Sequence, residues 1–291
     1  MTAEDETGPD TSRYVDYLLM NREFTASVVE AAVGSIDLIE TRRPLRVLDA
    51  GTGAGGALLP LARRVEAAGG DGAVLAVDAD ERAIETARVH AGDQQAVDLQ
   101  IADLRDVAAE ASQAGGVYDL IWSSDVIWPA TFDDPATIVR ELADALASRG
   151  TLALFTTNYY QSMMLPGHSR IERLIRTASE LTWGLPTDGP THHERLGAWM
   201  RQAGLTDVSV TVLPLAASTT LGSPARTYME QIVWPEMRHA VASRGGEAGM
   251  TGADLARAEE LLDPASDQWI GADPDGFTVH PTLLWTGHAP A

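Results

Sequence analysis

Short apolar runs alternate with amphipathic stretches through the first half of the chain. Residues 45–49, 73–77, 97–101, 118–122 and 151–157 are brief and mostly apolar, and each ends on or is followed within two residues by Asp, Ser or Thr, which predicts buried strands. Between them, 57–68, 80–91, 107–114 and 135–147 predict helices, the first with Leu58, Leu61, Ala62 and Val65 at helical spacing. Asp80 is placed to cap its helix, and Pro135 opens another. Two helical stretches, 14–20 and 24–38, precede them, with Val28, Val29, Ala32 and Ile36 on one face. Strand–helix units of this length imply a parallel sheet with helices on both faces.

After Thr157 the alternation lapses. Residues 158–190 are rich in Met, Tyr and Trp and predict one helix, near 170–183. A helix over 192–203 and a strand over 208–213 follow, and a second irregular stretch, 214–275, predicts helices near 225–242 and 252–262. The chain closes on a strand over 277–286. The pattern predicts an α/β fold, doubly wound on a mostly parallel seven-stranded sheet. Residues 1–43 read as an N-terminal helical cap, 44–213 with 276–291 as the core, and 158–190 and 214–275 as insertions forming a substrate lid.

Charge and composition narrow the function. The net charge is −21, from 42 acidic and 21 basic residues, which disfavours nucleic acid as a partner. Cysteine is absent, excluding thiolate metal sites and cysteine nucleophiles, and every basic residue is arginine. Without lysine there is no phosphate-loop lysine and no Schiff-base chemistry. No apolar run reaches the roughly 18 residues of a membrane span. The chain reads as a soluble, cytoplasmic protein acting on a small molecule, with a homodimer as a possible assembly.

The candidate chemistry gathers at strand ends. Gly51, Gly53 and Gly55 lie between a strand and a helix, where glycine permits a sharp turn and close approach of a ligand. The loop also satisfies the dinucleotide pattern, so alone it leaves the ligand open. Asp49, just before it, argues against a pyrophosphate, which a carboxylate repels, and for a cationic ligand such as S-adenosylmethionine. Capping of the next helix is its alternative role. Asp78, closing the second strand, can accept hydrogen bonds from both ribose hydroxyls, and Asp103, after the third, from an adenine amine.

Val47-Leu48-Asp49-Ala50-Gly51-Thr52-Gly53-Ala54-Gly55 resembles the first motif of the class I S-adenosylmethionine-dependent methyltransferases, small-molecule type. Val74–Asp78, Ala102-Asp103 and Tyr118–Ser124 are similar to the next three motifs, and Arg149-Gly150 to the turn before the fifth strand. The resemblance implies S-adenosylmethionine as cofactor, held around Asp49, Ala50, Gly51, Thr52, Gly53, Gly55, Asp78, Ala79, Ala102, Asp103, Leu104, Ser123 and Ser124. It implies methyl transfer to a small organic acceptor, with oxygen as the expected accepting atom. One departure is Trp128-Pro129, standing where many such enzymes carry histidines. That leaves room for a non-methylating cyclisation or rearrangement on the same cofactor. A nicotinamide oxidoreductase is a third reading, opposed by Asp49.

Loops beyond the strand ends are where an acceptor belongs. Trp128, Asn158, Tyr159, Met163 and Met164 are the expected substrate-lining residues. His168 is the first candidate for a general base, ahead of His192 and His193, while His280 is expected to face the sheet. Tyr14, Tyr17 and Arg22 are placed to close over the cofactor. Asp125 and Asn158 stand where a magnesium-dependent enzyme of this type places oxygen ligands, but no full ligand set is visible and no metal is assigned.

Overall fold

The computed structural model describes residues 11–38, 43–69, 71–186 and 188–291. Its sheet has seven strands, β1 (Arg46–Ala50), β2 (Ala73–Asp78), β3 (Val97–Ile101), β4 (Tyr118–Ser124), β5 (Leu146–Thr156), β6 (Thr206–Ser218) and β7 (Phe277–His288), in the order β3-β2-β1-β4-β5-β7-β6. The first five run parallel, and β7 lies antiparallel to both β5 and β6. The order reverses at β1, between β2 and β4. In an open sheet of this kind that crevice is where ligands sit.

The helices are α1 (Thr11–Ser35), α2 (Leu58–Ala67), α3 (Glu81–Ala91), α4 (Leu104–Gln113), α5 (Pro135–Asp144), α6 (Ser169–Thr182), α7 (Leu196–Gln202), α8 (Pro224–Tyr228), α9 (Trp234–Arg244) and α10 (Gly252–Leu262). Asp80 caps α3 as expected, accepting from the Arg82 and Ala83 amides. One face of the sheet packs Leu48, Ile121 and Leu152 against α4, α5 and α7. The other packs Val47, Leu120 and Phe155 against α1 and α2, and the same core runs on into α6, α8 and α9. Central strands buried on both faces explain the unbroken apolar runs in the sequence.

Several elements depart from the expected bounds. The two N-terminal stretches are one helix, α1, because Asn21, Arg22 and Glu23 are polar but helix-compatible and nothing there breaks the turn. The α4 helix begins a turn early, at Leu104, because Asp103 caps it. Strand β6 extends to Ser218, paired along its length with β7, so the second irregular stretch starts later than position 214.

Between α8 and α9 the helix widens into a π turn, Met229–Val233. Its i→i+5 bonding delays the rotation by about one residue. Tyr228 and Glu236, eight residues apart, thus share a face as residues about two turns apart do on an α-helix. Pro235, which has no N–H to donate, follows immediately. Among the described residues no helix is long and apolar enough to cross a membrane.

Candidate active site

The glycine loop leaves β1 through three left-handed positions, Gly51 (φ +79°), Gly53 (φ +53°) and Gly55 (φ +84°), which favour glycine over any residue with a Cβ. The Gly51 and Thr52 amides both donate to the Val77 carbonyl at 2.9 Å, tying the loop to β2. Asp78 holds it from the side: Oδ2 accepts from the Gly53 amide at 2.9 Å and Oδ1 from the Asp80 amide at 3.0 Å. Asp49 is buried at 2% exposure and accepts the Thr52 hydroxyl at 2.7 Å. It does not cap α2, whose N-cap, Ala57, has no side-chain partner. Burial pushes the Asp49 carboxyl up to about 7; the Thr52 hydrogen bond opposes the rise and the charge on Asp78 adds to it.

Helix α1 lies over this loop. A Cβ on Gly53 would stand 3.3 Å from Leu18 Cδ2, and Arg22 Nη1 donates to the Ala54 carbonyl at 2.8 Å. The Tyr14 hydroxyl is raised to about 12, by burial first and then by the charges of Asp78 and Asp80. Tyr14 thus stands on the Asp78 side of the cleft, and Arg22 spans the loop.

The other expected cofactor residues divide into cleft and framework. Ala79 and Asp103 are exposed at the ends of β2 and β3. Asp103 is the N-cap of α4, its Oδ1 accepting from the Arg105 amide at 2.8 Å. The Ala102 amide donates to the Asp78 carbonyl at 3.0 Å. Ala50 and Leu104 are buried in the core, and Ser123 is buried with its hydroxyl on the Ala50 carbonyl at 2.8 Å, clamping β1 to β4. Ser124, at the end of β4, keeps partial exposure.

On the acceptor side, Asp125 follows β4 in a left-handed conformation (φ 55°), and its Oδ1 accepts both the amide and the hydroxyl of Thr157, at 2.8 and 3.2 Å. Burial lifts its carboxyl to about 6 against those hydrogen bonds. Burial raises the hydroxyl of Tyr17, from α1, with help from the charges of Asp125 and Glu236, and the Tyr228 hydroxyl opposes the rise. The Tyr159 hydroxyl is buried with no hydrogen-bond partner among the described residues. Glu236 acts on the hydroxyls of Tyr17, Tyr159, Tyr160 and Tyr228. Water still reaches Glu236, but flanking protein desolvates its carboxyl and lifts it to about 7. Tyr228 and Glu236 were not expected from the sequence; an acid beside proline directly after the apolar run Ile232-Val233-Trp234 was the available signal.

The histidines lie elsewhere. His168 is at the start of α6 with its proton affinity lowered by burial and by Arg257 of α10. His192 caps the short turn His193–Arg195 through the Glu194 amide, and the His193 side chain lies outside the described residues. His280 is buried in β7 between the hydroxyls of Ser162 (2.8 Å) and Thr278 (2.9 Å), and burial drops it to about 4. Of the expected substrate-lining residues, Met164 is core, Met163 pairs with Val279 as an added bridge beside β7, and Asn158 turns the chain in a left-handed conformation. Trp128 packs 6.1 Å from Trp183, which is half exposed. Asp125 and Asn158 gain no third His, Asp or Glu to complete a metal site among the described residues.

Residues 47–150 match the family model of the methyltransferase domain. This segment is a class I methyltransferase domain. The BH2331 protein of Bacillus halodurans C-125, named as a candidate methyltransferase, is 14% identical with a TM-score of 0.51, covering 91% of this chain and 100% of its own. That likeness shows the fold. Two further solved structures are a candidate sarcosine dimethylglycine methyltransferase from Galdieria sulphuraria (16% identity, TM-score 0.46, 94% of this chain and 86% of its own) and the cyclase SpnF (15%, 0.46, 91% and 81%). No curated protein matches the sequence. The methyltransferase domain covers β1 to the start of β5, so it holds the glycine loop, Asp78, Asp103 and Asp125, while the tyrosines and Glu236 come from outside it.

Proposed function

We propose that the chain is an S-adenosylmethionine-dependent methyltransferase acting on a small organic acceptor enclosed under the helices of its two insertions. The observation that carries the reading is the glycine loop held by Asp78 with the buried, proton-holding Asp49 beside it. These residues fit the cofactor: a backbone cradle of left-handed glycines, a carboxylate at the ribose position, and a second carboxylate where an ammonium and a sulfonium would rest. The bound cofactor supplies an activated methyl group. Asp78 would hold the ribose and Asp103 the adenine amine, with α1 covering both; the rate would come from holding acceptor, methyl and sulfur in line. Oxygen is the accepting atom expected of that acceptor.

Turnover decides the reading. Incubation with S-adenosylmethionine and an acceptor is expected to release S-adenosylhomocysteine in step with product. Product formed without it sinks the transferase reading, and failure of the cofactor to bind at millimolar concentration removes the site.

A pH effect follows from Asp49. Its folded value, about 7, lies above the ordinary 3.8. The folded chain therefore keeps a proton that the unfolded chain releases, and this group costs the free protein stability as pH rises from about 4 through 7. A cation beside Asp49 expels the proton. Cofactor affinity is then expected to climb between about pH 6 and 8, by up to roughly tenfold per unit, with a proton released on binding. Calorimetry near pH 6.5 in buffers of different ionisation enthalpy reads that proton; none released would separate Asp49 from the cofactor's charges.

A further inference from the structure

Strands β6 and β7 run on beyond β5 as a paired ribbon, from Ser209 opposite Thr286 to Ser218 opposite Phe277. Strand β5 accompanies β7 only as far as Thr156 opposite Leu283. Side chains alternate between the two faces of such a ribbon. On one face Thr278, His280, Thr282 and Leu284 of β7 are buried, with Phe24 of α1 edge-on to His280 at 5.0 Å. The opposite face is covered by α7 at one end, where Gly197 lies against Trp285 and Met200 against Gly287. Beyond that end the pairs Val212–Leu283, Pro214–Pro281 and Ala216–Val279 share the face. Val212 is 57% exposed, and Phe277, at the far end, 43%. Met163, bridged to Val279, adds a third row and is also 43% exposed.

None of these residues is ionisable, in a chain that is 22% charged. A sheet face in water is ordinarily polar, and an apolar patch left exposed marks a contact. Residues 210–216 across three strands measure roughly 24 by 14 Å, about 340 Å² in plan. A standard interface takes about 800 Å² per partner, apolar at its centre and polar at its rim. The face is thus the size of the centre of a small interface. Edge-to-edge addition at β6 is opposed by Pro214, which has no N–H, and by the irregularity around Asp207, which is left-handed at φ 52°. Packing of sheet face on sheet face meets neither obstacle.

A cover for this face must be as uncharged as the face itself. Residues 1–10 of the sequence hold Glu4, Asp5, Glu6 and Asp10, and the other segments outside the described residues are four residues long or one. The net charge of −21 repels anionic lipid headgroups. A second copy brings the same uncharged rows, and a two-fold axis through the face lays each set on the other. We propose that the chain pairs weakly with a second copy of itself through this face of β6 and β7. Strands β4 and β5 separate the contact from β1 and its glycine loop, so pairing is independent of the reaction performed.

Sedimentation equilibrium between about 5 and 500 µM tests the pairing, with a dissociation constant expected on the order of tens of micromolar. Raising salt from about 0.03 to 0.3 M is expected to tighten it several-fold, because both copies are acidic and screening relieves their repulsion. Val212→Glu and Val212→Arg are both expected to weaken it about thirtyfold or more, since each buries an unpaired charge in both copies. An effect of net charge alone would weaken the dimer with one and tighten it with the other. Val89→Glu, at an 84% exposed position of α3, is expected to leave pairing as in wild type. Melting curves check that the variants fold, and Val210→Glu repeats the test if Val212→Glu does not. Wild type that stays monomeric over the whole range overturns the proposal, as does a dimer that survives both charged variants. A monomer that binds phosphatidylcholine vesicles, and loses them in Val212→Glu, overturns it in favour of a lipid surface.

Discussion

Asp78→Ala is expected to weaken S-adenosylmethionine binding by about 30-fold or more while leaving the chain folded. The substitution removes two hydrogen bonds that set the loop, at the Gly53 and Asp80 amides, together with the acceptor proposed for the ribose. Hydrogen bonds to a charged group contribute about 1.5–3 kcal/mol each, so the loss of one at the ligand spans roughly tenfold to 150-fold. Isothermal titration gives the affinity, and circular dichroism confirms the fold. Asp78→Asn sharpens the result: an amide can still accept at one oxygen but cannot serve two hydroxyls and two amides. It is expected to fall between wild type and alanine. Wild-type affinity in the alanine variant would detach Asp78 from the ligand.

The second large effect lies one strand away. Gly51→Ala is expected to lower stability by about 2–5 kcal/mol, the sum of roughly 1–2 for a left-handed alanine and about 1–3 for the clash. The clash is with Val126 Cγ2, which stands 2.5 Å from where the new Cβ must go. At roughly 2–4 °C per kcal/mol for chains of this size, the melting temperature falls by about 4–20 °C. Gly249→Ala is the internal control. Gly249 has a similar φ, +83°, with no atom within 4 Å of the added Cβ, so it carries the backbone cost alone. The difference between the variants isolates the contact between the glycine loop and the Val126 segment after β4. Equal melting temperatures would show that Val126 moves aside freely.

Legibility in the sequence followed the range of the forces involved. The five parallel strands were readable because burial on both faces leaves an apolar run whatever the neighbours are. Asp49, Asp78 and the glycines were readable because they lie within one strand–loop–strand span, where spacing alone places them together. The framework role of Ser123 was not, since it depends on the Ala50 carbonyl in the neighbouring strand. His168 drew attention by residue type, yet its charged neighbour is Arg257, 89 positions on. Glu236 escaped for the converse reason. The hydroxyls its charge bears on, those of Tyr17, Tyr159 and Tyr228, are spread over the chain, and a turn of non-α pitch sets the face it occupies.

That wide turn also bears on how such a site can change. A π turn is what one extra residue makes of an α-helix, so deleting one residue within 229–233 restores α pitch and leaves everything from Trp234 onward facing as it does now. Such a change alters the turn without touching the parallel strands, the glycine loop or the setting of the helix beyond it. The chain can thus change length by one residue here while both flanking helices keep their faces. Single-residue insertions and deletions among related chains would then collect in this turn before they reach the sheet.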